Sequence, residues 1–284
     1  MNILLTGSNG FVGSYFKNNY SNEYRIETFS FLNDDLADLD LTQTDTIVHL
    51  AALVHQMGGA TKEEYKNVNV IQTLALAKKA KQSGVKHFIF MSTVKVYGEE
   101  ADTVYREDTL CNPQDEYGKS KLEAENALRK LEDDIFRVSI IRTPIVYGEG
   151  VKANILNLIN LIKKVSVLPF ANIQNRRSMV YIGNLSAIID RIIKTGKSGI
   201  FLAGDDRAVS TTELVQLIAA VLNKKVFLLS VPFFPLLLKK LKPSFYNRLY
   251  KSLEVDNTFT KKKLGFSNMY SVEEGIKLMI NEEI

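Results

Sequence analysis

The 284 residues suffice for one large or two modest domains, and 45% apolar with 24% charged residues is an ordinary soluble globular composition. A net charge of +4, with Lys and Arg spread rather than blocked, gives no nucleic-acid footprint, although a pI near 8.9 leaves room for an anionic ligand. Cys111 is the only cysteine, which excludes an internal disulfide framework and fits a reducing, cytoplasmic compartment. His49, His55 and His87 form no HExxH pattern and have no cysteine partners, so no metal is expected.

In chain order, residues 2–6 read as a short buried strand, with no signal-peptide pattern before it. The strand runs into Gly7-Ser-Asn9-Gly10-Phe11-Val12-Gly13 and a helix to about residue 19. A strand, a glycine-rich turn and a helix in that order make a phosphate cradle, because the backbone can approach the anion closely and the helix N-terminus is positive. Strands follow at 25–30 and 46–50, the latter leading through Leu50 into Ala51-Ala52. A helix is predicted over 62–83, a strand over 87–92, a helix from Tyr117 to about 131, and a strand over 136–142. This βαβα alternation predicts an α/β, Rossmann-type, doubly wound parallel sheet, whose ligand edge would hold Gly7, Ala51, Thr93 and Arg142.

Beyond residue 150 the pattern changes to helices at 154–164 and 184–194, a strand at 200–203, and a capping box at 210–213 that opens another helix. The expected division is a dinucleotide-binding domain over 1–150, with part of 177–203 returning to it, and a smaller C-terminal α/β substrate lobe over 151–284. The most apolar stretch, 226–238, is broken by Pro232 and Pro235 and is too short to span a bilayer. Followed by Lys239, Lys240 and Lys242, it reads as a buried segment with a basic edge; membrane contact by 232–245 is the alternative.

Tyr117 and Lys121, four residues apart, share one face of their helix. A free phenol has a pKa of ~10, and a fixed ammonium beside it favours the phenolate. Bringing it to ~7 requires roughly 4 kcal/mol, within reach of one lysine and a cationic cofactor together. Such a phenol can exchange a proton with a bound alcohol or ketone.

Taken together, TGSNGFVG (6–13), HLAA (49–52), NVN (67–69), MSTVKVYG (91–98), YGKSK (117–121), RTPIVYG (142–148) and RRSMVYIGNL (176–185) resemble the extended short-chain dehydrogenases/reductases that act on nucleotide sugars, the NAD-dependent epimerase/dehydratase group. The resemblance implies catalytic roles for Thr93, Tyr117 and Lys121, with Thr93 bonding the reacting oxygen. It implies NAD or NADP as cofactor, held by Gly7, Asn9, Gly10, Phe11, Val12, Ser30, Leu50, Ala51, Ala52, Asn69, Tyr117 and Lys121. It implies a UDP-sugar substrate on Asn154, Arg177 and Arg248, with Lys95 directed into the sugar site, and it allows a homodimer.

Departures from the family pattern bear on the reaction. The end of the second strand, Phe29-Ser30, carries neither a carboxylate for the adenosine ribose nor an arginine for a 2′-phosphate, leaving NAD and NADP open. Val94 and Lys95 stand where 4,6-dehydratases keep acidic groups, so elimination lacks a base. Ile145 replaces a common asparagine, and the chain is short between strands two and three. The subgroup it most resembles makes bacterial surface-polysaccharide sugars. Within it the sequence favours reduction of a UDP-4-keto-6-deoxy-N-acetylhexosamine, with 4-epimerisation of a UDP-sugar as the alternative and a non-catalytic dinucleotide-binding scaffold as a remote third.

Overall fold

The computed structural model describes residues 1–54, 60–98 and 103–281. Its centre is a six-stranded, all-parallel sheet. The strands are β1 (Asn2–Thr6), β2 (Arg25–Phe29), β3 (Thr46–His49), β4 (His87–Thr93), β5 (Arg137–Thr143) and, much later in the chain, β9 (Gly199–Leu202). Their order is β2-β1-β3-β4-β5-β9, so the chain reverses direction across the sheet between β1 and β3. Ligands of doubly wound sheets sit at such a switch point, beyond the strands' carboxyl ends. The shortness of the chain between its second and third strands fits this order, in which β2 is the outermost strand.

Composition explains the layering. The central strands are buried almost end to end because both faces are covered. On one face α3 (Thr73–Gln82) and α4 (Glu116–Arg129) bury Leu76, Ala77, Ala80, Ala124 and Leu128 against Ile47, Phe88 and Ile140. On the other, α1 (Phe11–Tyr20) and α6 (Ile182–Thr195) bury Phe16, Ile188, Ile189 and Ile192 against Ile3, Leu5 and Val48. Each fully buried isoleucine there contributes roughly 1.5–3 kcal/mol relative to exposure. Edge strand β2 is mostly exposed and carries Arg25 and Glu27, charges that discourage pairing with another chain.

The helix predicted as continuous over 62–83 contains a wider turn. Between α2 (Lys62–Lys66) and α3, Asn67–Gln72 is π-helical, and this turn coincides with the NVN motif. Such insertions rarely survive without a task. The Ser210 box is half formed: its hydroxyl accepts from Glu213 N at 3.1 Å and caps α7 (Thr211–Val221), while the Glu213 carboxylate pairs with Arg207.

A separate apolar cluster runs from Tyr147 to Ile280. It draws on α5 (Ala153–Lys164), α7 and α11 (Val272–Asn281), with two small sheets, β6 (Ile145–Tyr147) beside β8 (Met179–Tyr181) and β7 (Val167–Leu168) beside β10 (Phe227–Leu228). One expectation is overturned here. Helix α8 (Phe234–Leu241), in the stretch read as buried, has no buried residue, and neither does α9 (Pro243–Tyr250) that packs beside it. Apolar content alone cannot distinguish a core helix from an uncovered one. No helix among the described residues is long and apolar enough to cross a membrane.

Candidate active site

The cradle closes tightly. Gly7 adopts φ +69°, and a Cβ there would lie 2.7 Å from Ala51 N and 2.8 Å from Leu50 C; one on Gly13 would lie 2.1 Å from Gly7 O. Gly10 N donates to Gly7 O at 2.9 Å and caps α1 without a side chain, and no acid occupies the helix's first turn. Among the described residues the amides of Phe11, Val12 and Gly13, at the open end of the helix, face no protein anion, as a bound diphosphate needs. Asn9 is exposed at the tip of the turn.

The facing wall is pinned. Leu50 N donates to Thr6 O (3.3 Å) and Ala51 N to Thr6 Oγ1 (3.2 Å), ahead of Ala52. Asn69, fully buried in the π turn, accepts from Leu53 N at 2.8 Å and donates to Leu53 O and to Ser120 Oγ, both at 3.0 Å. It thus ties the loop after β3 to the helix bearing Tyr117, a positioning task for which the wider turn is needed.

His49 is a buried crossbar, with Nδ1 2.8 Å from Thr6 Oγ1 and Nε2 2.9 Å from Thr73 Oγ1. Burial pushes its pKa down to about 3, helped by Lys121, and burial pushes that of His87, bonded to Ser139, down to about 4. Both folded values lie below the unfolded value near 6.5, so the unfolded chain binds more protons and stability falls with acidification below pH ~6.5. Urea unfolding should show a loss of about 1 kcal/mol for each histidine between pH 6.5 and 5.5, lessened by one such increment in His87→Asn. A slope unchanged by that substitution would mean His87 is not buried as a neutral base. His55 lies outside the described residues, and among those described no group of His, Cys, Asp or Glu could hold a metal.

Asp115 caps α4, its Oδ1 accepting from Gly118 N at 2.7 Å. Tyr117 and Lys121 follow one turn apart. Lys121 is buried, its Nζ 2.8 Å from Met91 O and 4.4 Å from the Phe90 ring centre. Desolvation pulls the ammonium down to about 7, opposed by Glu125. The Tyr117 phenol is pushed up, chiefly by desolvation and then by Asp115 and Tyr65, whose ring centre lies 6.2 Å away. The lowering expected from Lys121 is therefore not expressed in this structure: its ammonium faces a carbonyl and is itself driven toward neutrality. As it stands the phenol is a proton donor. Thr93 ends β4 and accepts from Lys95 N at 3.3 Å, capping the 3₁₀ turn Val94–Val96.

Lys95, expected to reach into the sugar site, is paired with Asp115 instead. It thereby braces the N-terminus of α4, the helix that carries Tyr117 and Lys121. Arg142, placed by its strand position at the ligand edge, is buried against Glu125, with Nη2 2.6 Å from Oε2 and Nε 3.1 Å from Oε1. Ser92 Oγ donates to the same carboxylate, and the guanidinium lies 4.7 Å from the Tyr97 ring centre. This pair was not visible in sequence, because nothing in the spacing of residues 125 and 142 marks partners on a helix and a strand.

Ser30 lacks an acidic side chain, yet its amide donates to Asp34 Oδ2 at 2.8 Å. A local turn thus brings to the end of β2 the carboxylate that the strand's own sequence lacks. The expected substrate residues Asn154, Arg177 and Arg248 converge on one cavity of about 200 Å³ beside the Tyr147–Ile280 cluster, with Ile145, Phe245 and Leu249 on its wall. Arg248 Nη1 donates to Asn154 Oδ1 at 3.1 Å, and Arg177 Nη1 to Lys251 O at 3.0 Å. Lys95 is not among the residues lining it.

Residues 3–204 match the family model described as the NAD dependent epimerase/dehydratase family. The chain belongs to this family. It is 38% identical over 305 aligned positions to a UDP-glucose 4-epimerase of Vibrio cholerae, covering 97% of this chain and 93% of that one. It is 28% identical over 252 positions to the N-acetyl-α-D-glucosaminyl-diphospho-ditrans,octacis-undecaprenol 4-epimerase of Escherichia coli O157:H7, covering 82% of this chain and 76% of the relative. Among solved structures, the UDP-N-acetylglucosamine 4-epimerase of Bacillus cereus superposes over the whole of both chains, with a TM-score of 0.81 at 20% identity, a likeness of fold. As a family member the chain is a nucleotide-sugar enzyme that works with a nicotinamide dinucleotide, and the open glycine cradle fits that group.

Proposed function

We propose that the protein is a 4-epimerase of a UDP-sugar. The observation that carries this reading is the near-complete alignment with the Vibrio cholerae epimerase, supported by the presence of Thr93, Tyr117 and Lys121, the set that the family resemblance assigns to chemistry at C4. The bound nicotinamide would accept a hydride from C4 and return it. Tyr117 exchanges the C4 oxygen's proton, Thr93 offers that oxygen a hydroxyl partner, and Asn154, Arg177 and Arg248 hold the diphosphate. Net reduction of a 4-keto-6-deoxy sugar, the direction favoured by sequence, is the second reading. It is supported by Ile145, which lies on the cavity wall without a polar partner to offer.

The two readings differ in stoichiometry. Epimerisation needs catalytic cofactor, whereas reduction consumes one nicotinamide per product. The test is incubation with UDP-glucose or UDP-N-acetylglucosamine plus NAD, and separately with a UDP-4-keto-6-deoxy-N-acetylhexosamine plus excess NAD(P)H. A sugar diphosphate on a lipid carrier, the class in the E. coli relative's name, belongs in the panel because apolar side chains dominate the cavity. Interconversion of C4 epimers without a net change at 340 nm is expected. Stoichiometric loss of absorbance in the second tube alone would establish the reductase. A 4-keto-6-deoxy product from UDP-glucose would contradict the lack of an elimination base at Val94 and Lys95.

Asp34 supports NAD over NADP, since a carboxylate at the end of β2 would accept from a ribose hydroxyl and repel a 2′-phosphate. Near parity, which Ser30 alone implies, gives way to an expected preference for NAD of about tenfold or more, or ~1.4 kcal/mol. Asp34→Asn should bring the two dissociation constants within about threefold, as read by fluorescence titration. An unchanged ratio would assign the discrimination to another residue.

A further inference from the structure

We propose that the helical hairpin α8–α9 docks the enzyme on the surface of an anionic lipid bilayer. Eight of the twenty exposed large hydrophobic side chains among the described residues fall between positions 227 and 245. On α8 and its entry they are Phe233 (79% exposed), Leu236 (66%), Leu237 (56%) and Leu241 (68%). A contiguous uncovered patch of this kind marks an interaction site, whereas single exposed leucines do not. Pro235 lies in the first turn of α8, and the N-cap Phe233 takes φ +62°, a conformation rare for a bulky residue, so the chain is turned sharply to present this helix.

Charge selects the occupant. From Leu214 to Leu253 the chain has no Asp or Glu but contains Lys224, Lys225, Lys239, Lys240, Lys242, Arg248 and Lys251. Those seven cations exceed the net +4 of the entire protein, so the rest of the chain is net acidic. Lys239, Lys240 and Lys242 are exposed, and the first two follow Leu236 and Leu237 on α8 by three residues, within one turn. An amphipathic helix with leucine and phenylalanine beside lysine lies in the headgroup layer, its apolar side chains among acyl chains and its ammonium groups on lipid phosphates. A protein partner would be recognised through pairs of both signs, and α8 and α9 carry no acidic residue. A second copy of the same face would set cation against cation.

The surface is also continuous with the substrate cavity. Phe245, Arg248 and Leu249 of α9 line that cavity, and α9 packs along α8. Docking through α8 would therefore hold the cavity wall next to the membrane. Because lipid binding needs no turnover, this inference stands or falls apart from the proposed reaction.

The test is co-sedimentation of the full chain with phosphatidylcholine vesicles and with vesicles containing 30% phosphatidylglycerol, at low and high salt. Binding at least ~10-fold tighter to the anionic vesicles and weakened by salt is expected. Leu236→Glu with Leu237→Glu should abolish it, and Lys239→Gln, Lys240→Gln and Lys242→Gln together should weaken it by about tenfold or more. Both variants should keep the wild-type far-ultraviolet circular dichroism and the wild-type rate on a soluble nucleotide sugar. Absent vesicle binding, or equal binding to neutral and anionic vesicles, would overturn the proposal. So would a wild-type dimer in sedimentation equilibrium that the leucine substitutions split, since that would make the face a self-interface.

Discussion

Tyr117→Phe should lower turnover by roughly 10²–10⁴, the usual worth of a positioned general acid–base. The substitution removes one oxygen from a site whose cradle is built elsewhere, from Gly7 to Val12 and the 50–53 loop. Dinucleotide dissociation constants should therefore stay within about threefold of wild type. Product formation followed by chromatography, beside fluorescence titration of the cofactor, separates the two effects. Turnover within threefold of wild type would remove Tyr117 from the chemistry. Lys121→Met is expected to differ by weakening both quantities, since its buried ammonium lies between the helix and Met91 O.

The largest expected loss of stability follows from Glu125→Ala. The carboxylate is buried with two partners, Arg142 and Ser92, and its removal leaves the guanidinium buried against the Tyr97 ring. Breaking a buried pair on one side typically costs ~3–5 kcal/mol, because the surviving charge is uncompensated. Replacing both partners, Glu125→Leu with Arg142→Leu, should recover much of that loss. The bidentate pair Arg176–Glu254, whose guanidinium side is exposed, is the control, and Glu254→Ala should cost no more than ~1 kcal/mol. Urea unfolding measures all three. A cost below 1 kcal/mol for Glu125→Ala would show that water reaches Arg142.

Much of the nucleotide-binding half was legible because its signals are local. Five strands, the glycine turn and the Tyr117–Lys121 spacing each lie within a few residues, and the sheet rules then order them. What was missed is non-local or short. Strands β7 and β10 have two residues each, too few for a period. Glu125 and Arg142 meet only because α4 packs over β5. Asp34 reaches Ser30 through a turn that composition does not announce. The apolar stretch from 226 was misread for a different reason: hydrophobicity states that a segment leaves water, and does not state whether protein or something else receives it. Asn154, Arg177 and Arg248 were placed by resemblance, and the fold brings them to one cavity from three separate segments.

The π turn at Asn67–Gln72 makes this part of the chain unusually sensitive to length. A π turn holds one residue more than an α turn between the same helical flanks. Deleting Val70, Ile71 or Gln72 would leave α2 and α3 free to join as an uninterrupted helix. The side chains upstream of the cut would then turn by about 100° relative to those downstream, the angle between successive residues of an α-helix. Asn69 would swing off Leu53 and Ser120, and the wall facing the cradle would lose its tie to the tyrosine helix. The shortened protein would gain a regular helix here and lose the buried bonds of Asn69, so that for this segment the more regular backbone is the less useful one.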